Sequence, residues 1–191
     1  QAYSYARDEI TITVRSSRTI TINIFGEIET PGSYTLSALN TAINAIMAAG
    51  GVTNSGSVRK IQIIRKGKSR TLDLYDFINN PRQTINLHLE NDDIIYIPIL
   101  EKTARISGAV KRPDNYEVIY KESFQDLLKM AQGFTANADK NLMNLAYLEG
   151  NKPRHKDVKM AAILAGKEKL LIKHQDAFYI RSYQRAADDF V

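Results

Sequence analysis

Ile20, Ile22 and Ile24 alternate with polar residues in "TITINIFGEI", the two-residue period of a strand with one buried face. After "GEIETPGSY" the chain reverses into "SYTL", so a hairpin is expected here. Pro31 sets φ at one central turn position and Gly32 accepts the positive φ of the next, as a type II turn requires. The period then changes. Leu39, Ala42, Ile43, Ile46 and Met47 recur at three-four spacing, which predicts a helix stopped by Gly50 and Gly51. Further strands are read in "IQII" and "TLDLYDF", separated by the turn-like "RKGKSR". A polar bend at Asn91, Asp92 and Asp93 leads into a closing apolar strand, "IIYIP".

The same order occurs twice. Gly26 and Gly108 are 82 residues apart, as are Pro31 and Pro113, Tyr34 and Tyr116, Ala49 and Ala131, and Gly51 and Gly133. One ungapped offset aligns all five pairs, and it shifts by one residue where "DIIYI" meets "DAFYI". In the second copy the helix opens with Ser123-x-x-Asp126, a capping arrangement, and carries Phe124, Leu127, Leu128 and Ala131. Asp114 and Asn115 replace the glycine after the proline, so a type I turn is expected there, with asparagine tolerating an unusual backbone angle. Two tandem domains follow, 18–100 and 101–185. Residues 1–17 hold one more alternating run, Ile10, Ile12 and Val14, read as an extra strand or the remnant of a preceding domain, and 186–191 are a tail. A helix packed on a small mixed sheet is an α+β arrangement, and β-grasp is the topology expected of each unit.

The carriers "INIFGEIETPGSYTL", "AINAIMAAGGVTNSGSVRKIQIIRKGK" and "LENDDIIYIP" resemble a known family. They are similar to the tandem SLBB domains, soluble ligand-binding β-grasp modules, of bacterial outer-membrane polysaccharide or capsule export proteins. The resemblance implies a noncatalytic periplasmic module whose parent protein is associated with the outer membrane. It also implies a homo-oligomeric ring and an inner-membrane polysaccharide co-polymerase as partner. The export proteins carry an N-terminal domain that this sequence lacks, so the chain reads as a piece of a longer protein.

Composition changes this picture little. Of 191 residues, 43% are hydrophobic and 25% charged, ordinary for globular domains, and the longest apolar runs are too short to span a bilayer as a helix. With no cysteine there is no disulfide framework and no thiolate chemistry. The net charge of +5 is spread along the chain and does not call for nucleic acid.

Catalytic chemistry has few candidates. His88, His155 and His174 lack partners at metal-ligand spacing, and Asp92 and Asp93 read as turn-capping residues rather than an acid/base pair. No nucleophile elbow, phosphate loop or dinucleotide fingerprint occurs, so neither catalytic residue, metal nor cofactor is expected. Binding offers more. Arg59, Lys60, Arg65, Lys66, Lys68 and Arg70 put six cations and no acid into twelve residues around a predicted hairpin turn, and "EGNKPRHKDVK" repeats a basic hairpin in the second unit. Such a patch attracts acidic sugars, anionic head groups or an acidic subunit, or is a solvated tip that discourages edge pairing. Tyr34, Tyr116, Arg65, Lys66, Lys68 and Arg70 are therefore the candidate glycan or partner contacts. The tyrosines have a competing role as anchors over their own turns, in which Gly26, Pro31, Gly32, Gly108 and Pro113 are the structural residues. A dedicated carbohydrate-binding domain is the alternative to an assembly module.

Overall fold

A computed structural model describes residues 18–79 and 88–183. The strand expected at Ile10 to Val14 and the tail 186–191 lie outside the described residues.

The first domain contains β1 (Thr19–Gly26), β2 (Gly32–Ser37), α1 (Ala42–Ala48), β3 (Ile61–Arg65), β4 (Lys68–Leu72), α2 (Leu74–Asn79) and β5 (Ile94–Ile97). Its sheet runs β2-β1-β5-β3-β4, with β1 and β5 parallel at the centre and every other pair antiparallel. The second domain contains β6 (Thr103–Gly108), β7 (Asp114–Glu117), α3 (Phe124–Met130), β8 (Ala138–Glu149), β9 (Lys152–Lys159), α4 (Ala161–Leu164) and β10 (Ala177–Ser182). It repeats the order as β7-β6-β10-β8-β9, again with one parallel central pair, β6 and β10. Both are α+β units of β-grasp order, and the chain passes between sheets between Ile97 and Thr103.

Alternation decides which face is covered. Ile20, Ile22, Ile24, Ile61, Ile63, Ile95 and Ile97 point inward and meet Ala42, Ala45, Ile46 and Ala49 of α1 and its C-cap. Three of the four helix-side residues are alanines. The second core is built from larger side chains, with the Phe124 and Phe178 rings 5.2 Å apart between α3 and β10. On the opposite face of each sheet the described residues Phe25, Tyr96 and Tyr179 are exposed. No helix among the described residues is long and apolar enough to cross a membrane.

Four local expectations are corrected. Leu39 and Met47 are exposed, at 76% and 72%, because Thr41 caps the helix and sets a phase in which the alanines face the core. "TLDLYDF" is not one strand: Asp73 ends β4, and its Oδ1 accepts the Tyr75 amide at 2.8 Å, starting α2. The β1–β2 turn is not type II, since Gly32 has φ +156° and already belongs to β2. Instead residues 27–31 form a longer loop pinned by buried Ile28, which bridges to Val52. In the second unit Asp114 and Asn115 are ordinary strand residues without positive φ.

Candidate functional site

The repeated glycines show why the module needs its signature. Gly26 has φ +90°, and a Cβ there would stand 2.0 Å from the Ile97 carbonyl oxygen. Gly108 has φ +83° and the same 2.0 Å approach to the Ile180 oxygen. Each carbonyl accepts the next amide, Glu27 or Ala109, at 2.9 Å, so the glycine locks the loop onto the parallel central strand. Tyr34 donates its hydroxyl to the Thr30 carbonyl at 2.6 Å, and Tyr116 donates to the Arg112 carbonyl at 2.8 Å. Both tyrosine hydroxyls are therefore engaged by their own turns. Burial pushes the Tyr116 phenol up, and its ring edge meets Tyr75 with centroids 6.2 Å apart.

The six cations of residues 59–70 separate into two groups. Arg65 donates from Nε to Asp93 Oδ1 at 2.8 Å and from a terminal nitrogen to Asp93 Oδ2 at 2.7 Å, and it also pairs with Glu90. Hydrogen bonding to Asp93 raises its pKa, burial opposing. Asp93 is fully buried and accepts the Glu90 amide at 2.8 Å, so its role is to close the bend before β5. Lys60 pairs with Glu101, while Arg59 is only 7% exposed and lies between the domains. The expectation of one solvated patch is thus corrected for Arg59, which burial partners claim. Lys66, Lys68 and Arg70 remain exposed around a two-residue turn in which Lys66 and Gly67 both have positive φ. Together with Arg65 and His88 they line a cavity of about 440 Å³ on the flank of β3 and β4.

The most organised polar cluster joins the two domains. Glu117, at the end of β7, accepts the Ser57 hydroxyl at 2.5 Å and the amides of Val58 and Arg59 at 2.8 and 3.1 Å. Arg59 donates to Asp73 at 3.0 Å, to Glu122 at 2.8 Å and to the Glu117 carbonyl at 3.2 Å. Its guanidinium lies 4.9 Å from the centroid of Tyr75, whose hydroxyl accepts the Glu117 amide at 3.1 Å. Burial works against the Arg59 charge, but the hydrogen bond to Glu122 and the charge of Asp73 outweigh it and hold its pKa above the usual value. Burial likewise raises the Tyr75 phenol. Ser57 and Glu117 are 0% and 5% exposed, so this clamp is satisfied internally and shielded from water.

None of Ser57, Asp73, Tyr75, Glu117 or Glu122 was marked by sequence reasoning. A signal existed: at the 82-residue offset Glu117 faces Thr35, Glu122 faces Asn40, Ser57 faces Asp139 and Arg59 faces Asn141.

The histidines are dispersed. His88 bridges to Thr41, His155 is exposed on β9, and His174 Nδ1 accepts the Thr103 amide at 3.2 Å. Among the described residues no group of three or more His, Asp or Glu is placed to hold a metal ion.

Two copies of a glycine-locked β-grasp sheet in tandem define a class, and comparison with family models agrees: SLBB domain models match residues 21–97 and 103–158. The chain belongs to the SLBB family and carries two of its domains in tandem. It is 25% identical over 182 residues to the EPS I polysaccharide export outer membrane protein EpsA of Ralstonia nicotianae (strain ATCC BAA-1114 / GMI1000), covering 90% of this chain. The matched region is 47% of that relative, so the chain spans about half its length.

Proposed function

We propose that this chain is a noncatalytic, periplasmic two-domain module of a polysaccharide or capsule export protein associated with the outer membrane. Its work is ring assembly with copies of itself, docking of an inner-membrane polysaccharide co-polymerase, and contact with the exported polymer. The observation that carries the reading is the tandem SLBB organisation, matched across 90% of the chain to a polysaccharide export protein. The clamp supports it, because a subunit of a ring must present its two heterologous faces at a fixed angle. Edge strands β2, β4 and β9 supply exposed surfaces for such contacts, and Pro153 and the cations of β9 restrain indiscriminate strand pairing.

A second reading, a dedicated carbohydrate-binding domain, is favoured by the cavity beside Lys66, Lys68 and Arg70, where cationic side chains converge. Disruption of the gene in its own host tests the main reading. Loss of surface polysaccharide, restored by the wild-type gene, is expected; unchanged export would overturn it.

A further inference from the structure

The uncovered face of the second sheet is only partly open to solvent, because the loop of residues 52–58 from the first domain passes over one end of it. Cross-strand pairing sets Arg105 between Asn115 on β7 and Ala177 on β10, with Thr103 two residues back on the same face. A cleft of about 710 Å³ lies between this floor and the first domain's loop, with Asn54 in the wall and Gln175 beside Thr103. That volume falls within the range of ligand sites, roughly 300–1,000 Å³. Its lining mixes polar and apolar side chains.

Three amides and a guanidinium stand in it beside Val52, Val58, Leu100 and Ala177. The side chains of Asn54, Arg105, Asn115 and Gln175 have no hydrogen-bond partner among the described residues. Glu117, the carboxylate of the described lining, is held by the Ser57 hydroxyl and two backbone amides and makes no ion pair with Arg105. The floor continues outward along both strands to Ser107 and Tyr179, which pair across β6 and β10, and Tyr179 pairs in turn with Asn144 on β8. Tyr179 is 50% exposed on the uncovered face and contributes nothing to the core. An aromatic face flanked by a hydroxyl and an amide stacks against the apolar face of a sugar ring while hydrogen bonds hold the ring's edge. A guanidinium nearby matches a carboxylate through two parallel donors.

We propose that the interdomain cleft and the Tyr179 face beyond it form one groove for a segment of acidic polysaccharide. A uronate carboxylate sits on Arg105, sugar hydroxyls meet Asn54, Asn115 and Gln175, and a neighbouring pyranose ring lies over Tyr179. The first sheet lacks this combination: Tyr96 stands where Tyr179 does, but Asn23 replaces Arg105 and Phe25 replaces Ser107. The groove is therefore a property of the second domain completed by the first. This inference rests on the export reading and deepens it by naming the polymer's chemistry and the place of contact.

The test is an NMR titration of the isotope-labelled chain with tetragalacturonate and, separately, with neutral maltotetraose. Saturable shifts at residues 103–107, 115 and 177–179 are expected with tetragalacturonate in the millimolar range. Arg105→Gln and Tyr179→Ala each weaken it about tenfold, and maltotetraose binds more weakly by a similar factor. Asn115→Asp, which adds a like charge without removing volume, weakens the acidic ligand selectively. A Lys66→Ser, Lys68→Ser, Arg70→Ser variant binds as wild type. No saturable shift, equal affinity for the neutral sugar, or shifts confined to residues 65–70 and lost in the triple variant would overturn the groove. Any of those results leaves the gene-disruption phenotype, and with it the export reading, to stand or fall separately.

Discussion

Gly26 and Gly108 each occupy a left-handed backbone position against a carbonyl oxygen 2.0 Å from where a Cβ would be placed. The obstacle is backbone in the centre of the sheet and cannot rotate aside. Gly108→Ala is expected to destabilise the second domain by on the order of 3 kcal/mol in urea unfolding, whereas Gly133→Ala, with φ +83° but open space around it, costs less. Equal losses at the two positions would mean that backbone angle alone, not close approach, sets the requirement. The glycines, the prolines and Tyr34 and Tyr116 were legible because the repeat displays them twice at one offset. Their mechanism was not: the sequence pattern pointed to Pro31 and Gly32 for the turn, while the reversal starts at Gly26, where a distant strand dictates the backbone.

Among the elements, α1 and α3 show how far periodicity reaches. It located both helices, but in α1 it placed Leu39 and Met47 on the core face, since hydrophobicity outweighs alanine in any such count. Packing reversed that choice: with Thr41 as the cap, Ala42, Ala45 and Ala49 face the core and are fully buried. The start of α3 was clearer. Asp126 Oδ2 accepts the Ser123 amide at 3.0 Å and its hydroxyl at 2.7 Å. Partial burial raises the Asp126 pKa, but these bonds and Lys129 outweigh it and leave the pKa below the usual carboxylate value. A depressed folded-state pKa means that the contribution is complete above the unfolded carboxylate range and is lost as pH falls through the folded value. Ser123→Ala should cost about 1 kcal/mol at neutral pH, with the difference from wild type narrowing under acid, as followed by thermal unfolding across pH. A difference that grows under acid would assign the cap a different origin.

On the scale of the molecule, the two α+β domains, their β-grasp class and the SLBB membership were readable from the sequence, because each sheet buries one alternating face and the repeat supplies hairpin, helix and closing strand twice. The clamp was visible only as some among many departures from the repeat, because its members are polar residues scattered from Ser57 to Glu122, and only folding brings them together. It also redirects the basic segment: Arg59 joins the domains, and Arg65 closes the bend before β5, while Lys66, Lys68 and Arg70 stay exposed. Glu117→Ala leaves the Ser57 hydroxyl and two amides without their acceptor, an expected loss on the order of 2–4 kcal/mol of coupling between the domains. The central claim is that the tandem domains act as one rigid body held by this clamp. Residual dipolar couplings of the partially aligned chain test it most directly. The account predicts one alignment tensor fitting both domains in the wild type and two different tensors in Glu117→Ala; separate tensors in the wild type would contradict it.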